Sequence, residues 1–121
     1  MNIPVRKWFI AAAALMLCTG SASALTVEDY TRLVKLEVTV AHLYISGVGA
    51  GLLWANAFDE KSPGRAGSIY CAPPQLSLTA KNYHDIAVAA VGRGDADGTR
   101  IGDEPIDYFL LQGMIATFPC H

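Results

Sequence analysis

The chain is predicted to be all-α: a small helical domain with a disulfide staple, behind an N-terminal signal peptide. Three observations carry this. Apolar residues recur every three or four positions through residues 27–58, 79–91 and 103–117. No run shows the alternation of a convincing strand. Two cysteines, Cys71 and Cys120, remain once the leader is removed.

Residues 1–24 read as the leader. Arg6 and Lys7 form a short positive region, and residues 8–17 an apolar one with four consecutive alanines. The small-residue run that follows carries Ala22-x-Ala24, so cleavage is placed after Ala24. The apolar stretch is short for a retained membrane anchor. Cys18 raises a lipoprotein alternative, but Leu17 stands where a small residue is required. Residues 25–121 then form one domain, large enough for a modest core and small enough to gain from a staple. With Arg6 and Lys7 gone, 7 basic and 11 acidic residues leave a net charge of −4. That balance disfavours nucleic acid as a partner and permits a basic protein.

The first helical stretch, 27–58, is expected to start at Thr26 as N-cap, with Glu28 and Asp29 placed for the helix dipole. One apolar stripe runs through Val27, Tyr30, Val34, Val38, Ala41, Ile45, Val48 and Leu52. A second runs through Leu33, Leu36, Val40, Tyr44, Gly47, Gly51, Trp54 and Phe58. Residues 38–58 hold no Asp, Glu, Lys or Arg, and Gly47-x-x-x-Gly51 lies among them, which is also the pattern of a membrane-crossing helix. A third stripe argues for a water-facing side: Arg32, Lys35, Thr39, His42, Ser46, Gly49, Leu53, Asn56 and Glu60. Gly47 and Gly51 are read, with Tyr44, as helix-packing positions. Either the helix breaks there or another backbone comes close. No strand precedes these glycines and no Gly-Lys-Ser/Thr follows, so they are not a phosphate loop.

Residues 59–78 read as loop, punctuated by Ser62-Pro63-Gly64 and Ala72-Pro73-Pro74. A second helix starts at Thr79 and stops at Gly92. Residues 92–104 read as a polar, glycine-rich connector. A third helix begins near Asp103-Glu104-Pro105 and reaches about Thr117. It is apolar nearly all round, which predicts a central, buried element, and Pro119 ends it. The even cysteine count in an exported domain implies a disulfide, and two cysteines allow only the Cys71–Cys120 pairing.

The residues offer little chemistry. His42, His84 and His121 are the histidines, and no serine or cysteine sits in a nucleophile elbow. A His/carboxylate enzyme site assembled by folding is the remaining catalytic reading. The two scattered cysteines lack metal-ligand spacing. Asp95-Ala96-Asp97-Gly98-Thr99 opens like a calcium loop, yet Arg100 and Ile106 occupy the positions that need Gly and Glu. Arg93-Gly94-Asp95 spells an integrin tripeptide of a kind common by chance. The expectation is therefore no catalytic residue, no cofactor and no metal. The 93–104 connector, with Asp95, Asp97 and Arg100, is expected to bind a partner, as exposed polar loops on rigid domains often do.

Three segments carry a family likeness: Tyr44-Ile45-Ser46-Gly47-Val48, then Cys71-Ala72-Pro73-Pro74 followed by Leu78-Thr79-Ala80, then Phe118-Pro119-Cys120. In order and approximate spacing they resemble the Rap/Tai family of type VI secretion amidase immunity proteins. The resemblance implies a small periplasmic helical protein, commonly a homodimer, without stable membrane insertion. Its partner would be a Cys/His peptidoglycan amidase effector, whose cleft it occludes without doing chemistry. This chain departs in two places. Ala41 and His42 stand where members often carry another cysteine, and the 92–104 segment is longer and richer in glycine. A different class, a periplasmic stress chaperone or envelope structural protein, fits a small disulfide-bonded helical domain as well.

Overall fold

The computed structural model describes residues 23–61, 67–98 and 100–121. All of the leader read at 1–24 except Ser23 and Ala24 lies outside them, as does the Ser62-Pro63-Gly64 turn. The described residues form four helices: α1 (Val27–Leu36), α2 (Val38–Lys61), α3 (Ala80–Ala96) and α4 (Ile106–Thr117). Among the described residues there is no strand, only an isolated bridge between Thr26 and Pro105.

The expected 27–58 helix is two helices. The chain turns at Glu37, whose backbone leaves the helical region at φ −148° and ψ 75°. Neither proline nor glycine marks the break. Its cause lies in packing: one straight helix over these residues would run about 50 Å, too long to wrap a core of this size. Turning at Glu37 lets α1 bury Val27 and Tyr30 while α2 buries Ala41, Ile45, Gly49 and Asn56 against the other helices. The β-branched run Val38-Thr39-Val40 favours helix weakly at this point. Thr26 caps α1 as expected, its side chain accepting from the Asp29 N–H.

α3 starts on a capping box. Thr79 Oγ1 accepts from the Asn82 N–H at 3.2 Å, and Asn82 Oδ1 accepts from the Thr79 N–H at 2.9 Å. It does not stop at Gly92. It continues to Ala96 and ends at Asp97 and Gly98, where Gly98 takes a φ of +72°. The reason is Gly94, which lets α3 run on against the Phe109 ring: an added Cβ would lie 3.0 Å from Phe109 Cε1. α3 and α4 form the most extensive helix pair. α4 buries Ile106, Phe109, Leu110, Gly113 and Met114, while Tyr108, Gln112 and Ala116 face outward, so it is central without being buried all round.

The first turn of α4 has no side-chain cap. The Ile106 N–H instead donates to the Leu25 carbonyl at 2.9 Å, and the Val27 N–H donates to the Glu104 carbonyl at 2.8 Å. The segment just ahead of α1 thus completes the first turn of α4. At the other end Cys71 and Cys120 form the expected disulfide, with a Cα–Cα distance of 4.9 Å. The Cys71 N–H also donates to the Phe118 carbonyl at 2.8 Å.

Candidate functional site

The residues first read for function fall in three places. Asp95 lies in the last turn of α3, Asp97 caps it, and Arg100 follows in the connector; all three are exposed. They share one end of the domain, but the connector is shorter than read, because residues 93–96 are helical.

Tyr44 is a packing residue of a specific kind. Its hydroxyl accepts from the Leu25 N–H at 3.2 Å and donates to Asp107 Oδ1 at 2.8 Å, joining α2 to the N-terminal segment and to α4. Burial raises its pKa, and the Asp107 carboxylate adds to that rise. Gly47 and Gly51 do something else. α2 runs through both unbroken, both are exposed, and a Cβ added at either meets nothing of this chain within 4 Å. The close approach inside the chain falls between them, at Gly49, where an added Cβ would overlap the Tyr83 ring.

α2 is therefore rotated from the expectation: Ala41 and Ile45 of the first apolar stripe are buried as expected, but the second apolar stripe and the water-facing stripe partly exchange places. The stripe read as water-facing supplies buried Gly49 and Asn56 and half-buried His42 and Ser46. Part of the second apolar stripe lies outside: Val40 is 49% exposed, Trp54 69% and Phe58 72%, beside Leu36 at 72% and Leu43 at 73%. Small residues win the inward position because they let α3 approach, and Asn56 wins it through hydrogen bonds. Asn56 Nδ2 donates to the Tyr70 carbonyl at 2.8 Å, and its Oδ1 accepts from the Ile69 and Tyr70 N–H groups at 2.7 and 3.3 Å. One buried amide thus fastens the loop ahead of Cys71 to α2. α2 is also long and apolar enough, by length and composition, to cross a membrane.

Two histidines meet where α1, α2 and α3 join. The rings of His42 and His84 lie 4.9 Å apart, and His84 Nδ1 is 2.8 Å from the Tyr30 hydroxyl. Burial lowers the His84 pKa, and the neighbouring His42 lowers it further; burial alone pushes Tyr30 up to about 12. Among the described residues no nucleophilic side chain joins this trio, and Lys81 Nζ holds Asp85 at 2.6 Å nearby. His121 is the exposed last residue. Among the described residues no group of three potential ligands is placed to hold a metal.

Two hollows flank α3. A groove of about 270 Å³ runs past Tyr30, Val34, His84 and Val88. An open cleft of about 580 Å³ lies between the C-terminal half of α2 and the Pro73-Pro74 loop, lined by Leu53, Ala57, Glu60 and Leu76.

What the described residues define is a class: a small all-α domain of four helices with a Cys71–Cys120 disulfide staple. Comparison of the chain with protein-family models, curated proteins and solved structures returns no match.

Proposed function

We propose that this chain is a periplasmic immunity protein that binds and blocks a peptidoglycan amidase effector of type VI secretion, without catalysing a reaction itself. The observation that supports it most is how the three segments of the family likeness are used. Cys71-Ala72-Pro73-Pro74 and Phe118-Pro119-Cys120 are joined by the disulfide and by the Cys71–Phe118 backbone bond. Tyr44 of the third segment ties α2 to Leu25 and Asp107. Each segment holds together parts distant in sequence, as expected where a family preserves a scaffold and varies its contact surface. A disulfide also fits an oxidising compartment such as the periplasm.

The charged end of α3 is the effector-contact surface in this reading. Changing Asp95, Asp97 and Arg100 together to alanine is expected to weaken binding of the cognate Cys/His amidase at least tenfold, with helicity unchanged. The check is capture of the hydrolase by the oxidised protein, followed by titration of its peptidoglycan-cleaving activity. Unchanged affinity would remove these residues from the interface, and failure to capture any hydrolase would remove the immunity role.

The homodimer is assigned to the outer face of α2. Val40, Leu43, Gly47, Gly51, Trp54 and Phe58 are nearly symmetric about the middle of the helix. Antiparallel pairing sets Gly47 across from Gly51, Val40 across from Phe58 and Leu43 across from Trp54. The glycines permit close backbone approach at the centre of the pairing. The exposed apolar side chains supply roughly 600 Å² per copy, near the lower edge of stable interfaces. A Gly51→Glu variant leaves the monomer fold room for its side chain, so it is expected to be monomeric by light scattering with full helicity, where the parent is dimeric. A dimeric Gly51→Glu variant, or a monomeric parent at ~100 μM, would place the face elsewhere.

The same exposed face favours a second reading, a periplasmic chaperone that holds unfolded clients on α2. Suppression of client aggregation, rising as the dimer dissociates at low pH, would support it over amidase inhibition.

A further inference from the structure

Leu25 is held from three sides. Its N–H donates to the Tyr44 hydroxyl at 3.2 Å, and its carbonyl accepts from the Ile106 N–H at 2.9 Å. Its side chain packs, half-buried, against the core. Ser23 and Ala24, immediately before it, are exposed. Among the described residues, hydrogen bonding and core packing thus begin at Leu25, the residue that follows the Ala22-x-Ala24 cleavage signature. The Tyr44 hydroxyl that receives the Leu25 N–H passes its own proton toward a carboxylate, Asp107 Oδ1, at 2.8 Å.

We propose that leader removal completes this site: the α-ammonium freed at Leu25 docks on the Tyr44 hydroxyl, within the field of Asp107. Hydrolysis of the Ala24–Leu25 amide by a leader peptidase consumes one water. The hydroxyl goes to the Ala24 carbonyl carbon and a proton to the Leu25 nitrogen. The new acid gives up its proton to the amine, leaving a carboxylate on the released leader and an ammonium on the domain. Where the uncut chain offers Tyr44 one neutral amide N–H, the cut chain offers a charged donor. Charge-assisted hydrogen bonds are the stronger kind, and Asp107 supplies the opposite charge on the far side of the hydroxyl. Cleavage and folding then reinforce each other, because the group that cleavage makes is the one the folded site holds best.

The pH dependence belongs to this amine. Tyr44 reaches it from α2 and Asp107 from α4. Glu28 and Asp29, at the start of α1, are engaged by Arg32 at 3.1 and 3.3 Å, and the Glu104 side chain is exposed in the connector. Tyr44, raised by burial, keeps its proton as the amine titrates. The docked ammonium has a folded-state pKa above the unfolded ~7.7–8.0 of an α-amine. Its contribution is thus fully present below about pH 7.7 and is lost as pH rises through the folded value.

This site rests on the leader reading and not on the amidase. The test has two parts. N-terminal sequencing of the protein exported under its own leader is expected to begin at Leu25. Residues 25–121 contain the whole described core, so chains starting at Leu25 and at Ser23 can be compared directly, each with Asp107 and with Asp107→Asn. The Leu25 chain is expected to melt roughly 4–8 °C higher at pH 7. The gap should close by about pH 10 and shrink in the Asp107→Asn pair, which keeps an oxygen for the Tyr44 hydroxyl. An exported chain that retains residues 1–24 would overturn the leader reading, and the site with it. A chain cut at Leu25 that shows no gap, or a gap unchanged by pH or by Asp107→Asn, would overturn the docking alone.

Discussion

Replacing both Cys71 and Cys120 by serine is expected to lower the unfolding free energy by about 3–4 kcal/mol and the melting temperature by roughly 15 °C or more. The bond closes a loop across 49 residues of sequence, so the unfolded chain loses much freedom by carrying it. In the native state it works beside the buried Tyr70 ring, which is 1% exposed, and a few hydrogen bonds. The segment ahead of α3 is held to the rest by Asn56, by the Cys71–Phe118 backbone bond and by the disulfide. Both cysteines are exposed, so serine leaves no buried polar group and the loss isolates the cross-link. Urea titrations of the oxidised parent and the double-serine chain measure it. A difference below 1 kcal/mol would mean that Asn56 and the backbone bond suffice. A large difference ties function to compartment: a chain this small, short of most of its staple, is marginal where thiols stay reduced and secure where they oxidise.

How far the sequence discloses this molecule depends on whether a feature is local. The caps at Thr26 and Thr79 were legible because each is one hydroxyl beside a helix start. The disulfide was legible because two cysteines leave one pairing. The turn at Glu37 was not, since no proline or glycine marks it and packing alone requires it. The orientation of α2 was hidden for a related reason. Two apolar stripes and one small-polar stripe share the same period, and periodicity cannot say which stripe faces the core. Asn56 offered a signal in retrospect, as the one carboxamide between residues 38 and 58. A lone amide in an apolar run invites a search for buried backbone groups to satisfy. At the candidate site, the exposure of Asp95, Asp97 and Arg100 was legible from their charge. The helix running beneath Asp95 was not, because Gly92 and Gly94 resemble a stop until Phe109 is seen beside the second of them.

The glycines divide by what lies over them, and that division is the second large effect. Gly49→Ala and Gly113→Ala are each expected to destabilise the domain by about 2–3 kcal/mol, whereas Gly92→Ala should stabilise it by up to ~1 kcal/mol. Alanine favours helix over glycine at all three positions, so propensity alone predicts three gains. Packing reverses two of them. At Gly113 an added Cβ would stand 2.6 Å from Ile86 Cγ2 and 2.8 Å from the Ile86 carbonyl oxygen. A rotamer change can move the methyl, but the carbonyl moves only if α3 and α4 separate. At Gly49 the obstacle is the Tyr83 ring, 5% exposed and confined by the core, so α2 and α3 must part instead. Gly92 is exposed with nothing within 4 Å. Chemical unfolding of the three variants, checked for helicity, distinguishes the cases. Stabilisation by Gly49→Ala would mean that α2 does not bury its small-residue stripe and would return its apolar stripe to the core, withdrawing the dimer face. A Gly92→Ala variant less stable than the parent would mean that α3 ends there, restoring a longer, looser contact loop around Asp95 and Asp97.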